Sequence, residues 1–314
     1  MHTLSVLALL LTAAAVGIFG ASGTITRLIK RSYRSYRTVL LALRAGGLVA
    51  LGFGIAGAAL DSRLLLLTSA GVLVFGLMLA VVATVFERIA PSAPLNQESI
   101  LIVAAHPDDL EIACGATTAK LIDQGYSVHA LILADGKDGG EVAGRAGEAT
   151  NGAEFLGLAS LTMLALPDRA LDQNMKEMIA AIEAEIEKYQ PTLIFTHSIH
   201  DVHQDHVAVH KAVVRAGRNH HSILCFESPS VTADFRPTVF MDVTDYAGVK
   251  AEAIAAHISQ RNKQYLTRNV TDSTLKFRGR QGRIPEAEGF EAVRFHLAAP
   301  RALKQIEVAN EISR

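Results

Sequence analysis

Apolar positions along this chain fall into two regimes that meet near residues 92–99. Before that point, Leu4 to Ala21, Val39 to Leu60 and Leu64 to Phe86 are apolar stretches of roughly 18 to 23 residues, almost free of charge. That matches the ~20 residues needed to span a bilayer core, so three transmembrane helices are predicted. Beyond it, apolar runs shorten to strand length and alternate with helical stretches, the pattern of an α/β domain with a mostly parallel sheet and helices on both faces. Predicted strands cover Ser99 to Val103, Ser127 to Ala134, Thr192 to Thr196, Ile223 to Phe226, Val239 to Val243 and Phe290 to Leu297. Helices are expected over Ile112 to Gln124, Arg145 to Leu156, Met175 to Tyr189, Val207 to Ala216 and Tyr246 to Arg261, with Gly125 and Gly157 as stops and Asn174 as a cap. The expected organisation is an anchor over 1–90, a linker over 91–98 opening with Pro91-Ser92-Ala93-Pro94, and a soluble domain over 99–314.

Charge sharpens that division. The formal net charge of −1 hides eight Lys/Arg against two Asp/Glu in residues 1–90, and twenty-two against twenty-nine in the rest. Arg27, Lys30, Arg31, Arg34 and Arg37 lie between the first two predicted spans, whereas Asp61 and Arg63 alone lie between the second and third. The positive-inside rule then puts the basic link in the cytoplasm, the amino terminus outside and, after three crossings, the soluble domain in the cytoplasm. A cleaved signal peptide followed by a buried hairpin is the alternative, but Met1-His2-Thr3 lacks its basic start. The link is suited to attract anionic headgroups at about 1 kcal/mol per charge. An acidic domain without a basic stripe argues against nucleic acid as a partner. Cys114 and Cys225 are isolated in apolar surroundings and read as buried reduced thiols.

Candidate chemistry sits where two strands end. The first runs into Ala105-His106-Pro107-Asp108-Asp109, and the carboxyl ends of strands are where open α/β sheets place ligands. Pro107 stiffens the turn and keeps His106 out of helical geometry. The strand over 192–196 runs into His197-Ser198-Ile199-His200-Asp201-Val202-His203-Gln204-Asp205-His206, and five of the twelve histidines fall within 197–210. One His and one Asp from the first loop plus one His from the second would complete a three-ligand catalytic zinc site with a position left for water. Asp108 is a candidate general base, and His203 with Asp205 fits a general acid that protonates a departing amine.

These residues resemble the PIG-L/LmbE-like family of zinc-dependent N-acetylglucosaminyl deacetylases. Its Ala-His-Pro-Asp-Asp motif stands at 105–109 and its Thr-His-Ser-x-x-Asp-x-His-x-Asp-His block at 196–206. Weaker echoes are Asp135-Gly136, Arg145 with Glu148, Leu166-Pro167-Asp168, Lys250 with His257 to Gln260, and Arg278-Gly279. The resemblance implies a Rossmann-like fold over 99–297 and zinc on His106, Asp109 and His206. It also implies Asp108 as base, His203 as acid oriented by Asp205, and Arg145 in substrate binding. It says nothing about the anchor, except that a single membrane helix in some relatives suggests a lipid-linked amino sugar beside a soluble one. Iron or another divalent ion suits the same donors. Oligomeric state is not legible.

Other residues read more plainly. His129, on a strand, and His220-His221, before one, are expected to be structural, and Asp135 to Gly140 a rim loop without phosphate-loop spacing. Arg278, Arg280 and Arg283 read as a solvated basic face, with binding of an anionic substrate group as the alternative. Competing functions are a metal-dependent hydrolase of another small metabolite, and a catalytically silent sugar-binding module tethered by its spans.

Overall fold

The computed structural model describes residues 23–60, 62–86, 88–89, 98–220 and 222–296. The first predicted span, Leu4 to Ala21, lies outside them, as do residues 91–97 of the linker. Helix α1 (Gly23–Ser32) carries Arg27, Lys30 and Arg31 of the basic link, and α2 (Tyr36–Ala59) and α3 (Arg63–Phe86) form a hairpin. Both hairpin helices are long and apolar enough to cross a membrane, and only 17% and 6% of their most apolar windows are covered by protein. A buried hairpin is therefore not what the chain builds. Ser69 donates its hydroxyl to the Ala50 carbonyl at 2.7 Å, and Leu66 packs where Gly57 lacks a side chain, so the helices touch along small residues.

The basic link does not hang free for lipid. Arg27 pairs with Glu154, Lys30 and Arg37 with Glu252, Arg31 with Asp123 and Arg34 with Asp245, so all five cations face carboxylates of the α/β part. Arg31 is the best buried of them. Its guanidinium grips both oxygens of Asp123 at 2.9 and 2.7 Å and reaches the carbonyls of Ala119 and Leu156.

Seven strands make one mixed sheet: β1 (Ser99–Ala104), β2 (Ser127–Ala134), β3 (Ser160–Leu166), β4 (Leu193–His197), β5 (Ile223–Phe226), β6 (Val239–Asp242) and β7 (Ala287–Arg294). Their order is β3-β2-β1-β4-β5-β7-β6. The first five are parallel, whereas β7 runs antiparallel to β5 and β6. Alternate residues of β1 face opposite cores. Ile100 and Ile102 pack under α4 (Asp109–Asp123), α5 (Val142–Leu156), α8 (Ala247–Ile254) and α9 (Arg268–Gly282). Leu101 and Val103 pack under α6 (Met175–Tyr189) and α7 (Gln204–Ala216). With β2 on one side of β1 and β4 on the other, the chain changes direction there and opens a crevice at the strand ends.

Three features depart from the apolar pattern. Strand β3 is not predicted by it, because an edge strand is half-buried, and a bulge at Ala165 (φ 56°) breaks its register with β2. The helix predicted over Tyr246 to Arg261 stops at Ile254, and the turn that follows swings His257 inward to 1% exposure. Helix α9 buries only Thr271, Leu275, Arg278 and Gly279, too narrow a stripe to read from a polar sequence.

His257 Nε2 lies 3.3 Å from Glu111 Oε2 with both side chains almost fully covered, tying α4 to the segment after α8. Burial opposes the imidazolium, but Glu111 outweighs it and holds the His257 pKa above its ordinary value. The contribution of this pair is complete below the unfolded-state pKa of about 6.5 and is lost as pH rises through the raised native value. As pH rises above about 6.5, melting temperature should therefore fall more steeply in wild type than in His257→Gln. Parallel slopes in a thermal scan would assign the pH dependence to other groups.

Candidate metal centre

Strand β1 delivers His106 and α4 begins three residues later, so the turn is tight enough for the His106 N–H to donate to Asp109 Oδ2 at 2.7 Å. Asp109 stands in the first turn of α4, where the helix dipole favours a carboxylate. From the adjacent β4 the chain passes His197 and loops into α7, whose first turn carries Asp205 and His206. His203 caps that helix, its Nδ1 accepting the Asp205 backbone N–H at 3.3 Å. Neighbouring strand ends thus bring together residues about a hundred positions apart.

His106, Asp109 and His206 each offer a ligand atom, all within 4.8 Å of one another and all buried. His106 Nδ1 is 3.2 Å from Asp109 Oδ2, and His206 Nε2 is 3.5 Å from Asp109 Oδ1. Two other triples pass the same distance test: His106, His203 and Asp205, and His197, Asp201 and His206. Their atoms are more fully engaged elsewhere. His197 Nε2 accepts the Ala105 N–H, Asp201 accepts from Ser228, Ser230 and the His203 N–H, and Asp205 accepts from the Arg169 and Leu171 N–H groups.

Outer residues fix the ring orientations. Asp201 Oδ2 meets His206 Nδ1 at 2.9 Å, which leaves Nε2 for the centre. His106 Nε2 lies 3.2 Å from Asp168 and 3.3 Å from Asp205. His197 stacks on His206 with centroids 3.8 Å apart, its pKa lowered to about 4 by burial and by His206, so it is a neutral wall. Burial acts to lower His106 and His206, but carboxylates overcome it: Asp109 and its partners hold His106 well above its ordinary value, and Asp109 with Asp201 lifts His206 to about 9. Burial would raise Asp109, yet His206, His197 and His106 hold it well below the usual carboxylate range. Two imidazoles and a carboxylate so arranged suit a divalent ion, the donor set of a three-ligand zinc site.

Asp108 lies on the rim of the same cavity, of about 270 Å³, which is also lined by His203 and Arg145. Two predicted roles change here. Arg145 is buried at 3% exposure and donates to Asp108 Oδ1 at 2.7 Å and to the Gly136 carbonyl at 2.9 Å, so it backs Asp108 before it can reach a substrate. Asp205 does not clamp the His203 ring. Its carboxylate is held by the loop over 169–171 and by His106, and burial followed by the neighbouring His206 and His106 pushes His203 below its ordinary pKa.

Asp168, Asp201 and His197 receive no site role from spacing alone. Asp201 and His197 sit inside the 196–206 block, where a carboxylate five residues before a ligand His is a usable sign of an orienting partner. Asp168 follows the unpredicted β3, and Arg169 after it adopts φ 59°, which aims its N–H at Asp205 at 2.7 Å.

Paired imidazoles and carboxylates at the switch point of a mostly parallel sheet define an α/β protein with a candidate hydrolytic metal centre. Residues 101–217 match the PIG-L family, described as GlcNAc-PI de-N-acetylase. An uncharacterized deacetylase of Escherichia coli, YaiS, is 33% identical over 184 residues, covering 55% of this chain and 100% of the relative. The diacetylchitobiose deacetylase of Thermococcus kodakarensis is 30% identical over 196 residues, 53% of this chain and 72% of the relative. A 4-oxalmesaconate hydratase of Pseudomonas putida is 26% identical over 233 residues, 63% of this chain and 90% of the relative. The fold matches N,N'-diacetylchitobiose deacetylase from Pyrococcus horikoshii with TM-score 0.55 at 21% identity, over 65% of this chain and 86% of that one. The chain belongs to the PIG-L/LmbE-like deacetylase family.

Replacing His106, Asp109 or His206 by Ala should lower metal content from one ion per chain toward zero, as read by elemental analysis of purified protein. His197→Gln, which keeps an acceptor near Ala105, should retain the ion. Full metal content in His206→Ala would move the centre to another triple.

Proposed function

We propose that this protein is a membrane-anchored, divalent-metal-dependent N-deacetylase that releases acetate from an N-acetylglucosamine-type amino sugar. The observation that carries this reading is the convergence of His106, Asp109 and His206 within 4.8 Å beside an Asp108 that lines the same cavity. Zinc held by these three residues would acidify the attacking water and polarise the acetyl carbonyl, and iron or another divalent ion suits the same donors.

The chain's own residues handle the proton. Asp108 Oδ1 is fixed by Arg145, and Oδ2 has no hydrogen-bond partner among the described residues. Oδ2 takes the proton of the water that adds to the carbonyl carbon. When the C–N bond breaks, the amine nitrogen must gain a proton, and Asp108 is placed to return the one it took. His203 accepts at Nδ1, so its neutral ring carries hydrogen on Nε2. That favours a hydrogen-bond donor to the developing oxyanion over the protonated acid read from sequence, because cationic neighbours disfavour an imidazolium there.

Exposed apolar helices α2 and α3 support a bilayer anchor, and the positive-inside rule is the ground for the basic link and the catalytic part on the cytoplasmic side and the amino terminus outside. Relatives named for a hydratase and for sugar deacetylases share the fold, so the bond acted on is decided by product analysis. Acetate release from N-acetylglucosamine compounds supports the proposal, and water addition to an unsaturated acid without acetate overturns it.

Asp108→Asn should lower kcat by about 10²–10⁴ while metal content stays at the wild-type level. Unchanged turnover would remove Asp108 from the chemistry. In cell fractionation the full chain should stay with membranes in high salt and in alkaline carbonate and enter solution in detergent. Release by salt alone would mean that ion pairs, not apolar helices, hold it.

A further inference from the structure

The five cations of the basic link are taken by carboxylates, so they are not the ones left for a lipid surface. A second basic segment keeps its charge. Residues 258–283 hold seven Lys/Arg against one Asp/Glu, whereas 91–257 and 284–314 together hold fifteen against twenty-eight. Arg268 pairs with Asp272 and Arg278 with Glu227, but Arg261, Lys263, Lys276, Arg280 and Arg283 form no salt bridge among the described residues. All three guanidinium nitrogens of Arg278 are engaged, on Glu227 and Gln281, which weighs against the alternative of an anionic substrate group held there.

The same segment is apolar where it meets water. Helix α9 turns Val270 and Phe277 outward at 44% and 58% exposure, and Tyr265 just before it is also exposed. Tyr265 and Val270 line one hollow and Val270 and Phe277 the next, so the three make one strip. Scattered singly, exposed apolar side chains are ordinary. A strip of them interleaved with unpaired Lys and Arg is the composition of a surface that lies in a membrane interface, rings below the headgroups and cations at the phosphates. Nucleic acid would draw on the charges and leave the strip without a role.

Position adds an independent argument. Arg268, in the first turn of α9, donates to the hydroxyl of Tyr36 at 3.4 Å, and Tyr36 opens the exposed apolar helix α2. Val270 is two residues past that contact, and Phe277 lies about 10 Å further along the helix. The strip therefore starts beside the point where α2 leaves the α/β part.

We propose that α9 and the turn before it rest on an anionic bilayer surface, the one into which α2 inserts, with Val270 and Phe277 among the headgroups and Arg261, Lys276 and Arg280 on their phosphates. The proposal rests on the bilayer-anchor part of the proposed function. Lys263 and Tyr265 also line the catalytic cavity, so docking holds that rim at the interface.

The chain has no tryptophan, so a single introduced Trp reports alone. The test reconstitutes the full chain into vesicles of phosphatidylcholine and phosphatidylglycerol whose acyl chains carry bromine near the headgroup. Phe277→Trp, and independently Val270→Trp, should shift to shorter wavelength and lose about half or more of its emission to bromine. Ala184→Trp, at an exposed position of α6 on the opposite face of the sheet, should lose none. Vesicles of phosphatidylcholine alone, or Lys276→Glu combined with Arg280→Glu, should reduce the quenching about twofold or more. Reporters quenched no more than Ala184→Trp overturn the proposal, and so does quenching that neither change reduces. A blue shift without quenching means that another protein surface covers the strip, which overturns it too. Flotation of the same samples separates the two readings. A chain that floats with the vesicles unquenched refutes the docking alone, whereas a chain that does not float refutes the anchor and the docking with it.

Discussion

A carboxylate withdrawn from water has to be met by positive charge or hydrogen-bond donors, and Asp109 is met by two histidines and by the His106 backbone N–H. His106 and His206 each bring a ring nitrogen within 3.5 Å of it, and the neutral His197 packs beside them. Stripping a carboxylate of solvent costs several kcal/mol even after relaxation, so these rings cannot be removed without leaving an unpaired buried charge. Their own charge is balanced in turn by Asp168 beyond His106 and Asp201 beyond His206. The result is an alternating row, Asp201, His206, Asp109, His106, Asp168, in which each group stabilises the ionised form of its neighbours. Such a row is preorganised for a dication at its middle, because the imidazole protons it would displace already occupy that position. Side-by-side placement of β1 and β4 is what makes it possible, since neither loop contains the whole row.

How much of this is legible in the sequence depends on whether the signal is local. Ile100 to Val103 reads as a doubly covered strand because every residue is apolar, and the His-Pro-Asp-Asp turn after it is unambiguous. The 197–206 block can be placed at a second strand end for the same reason. Strand β3 escapes because edge position and a bulge leave it half-buried, and Asp168 escapes with it. The role of Asp205 is misread because a carboxylate two residues from His203 looks like its partner in sequence. In space it faces the other way, toward the backbone of the turn at Arg169. Arg145 is placed at the right cavity by resemblance, but the 2.7 Å contact to Asp108 that redefines its role is a tertiary fact.

The charge split between the two halves of the chain acquires a structural reason. The five cations next to the hairpin are the ones that Glu154, Asp123, Glu252 and Asp245 bind, so the link seats the α/β part against the start of the hairpin. Surface pairs such as Arg27 with Glu154 contribute little each. Arg31 differs because it is partly buried, bidentate, and set against the carbonyl ends of α4 and α5, where a cation favours both helix dipoles. At the far ends of those helices stand Asp109 and Arg145, so α1 braces the elements that carry these residues. Contact of Arg268, at the start of α9, with the Tyr36 hydroxyl puts that helix start beside the first turn of α2.

Sharing of this fold between proteins named as deacetylases and a hydratase means that the fold alone does not choose the bond. What separates amide hydrolysis from simple water addition is the need to hand a proton to a poor leaving group. A residue that takes one proton and returns it must keep an oxygen free at the cavity while its other oxygen is immobilised. Asp108 meets that condition because Arg145 engages Oδ1, and Arg145 is itself locked by the Gly136 carbonyl. A side chain added at Gly139 would collide with the same guanidinium. The glycines of the 135–140 loop, which look like a failed phosphate cradle in sequence, therefore make room for the arginine that holds Asp108.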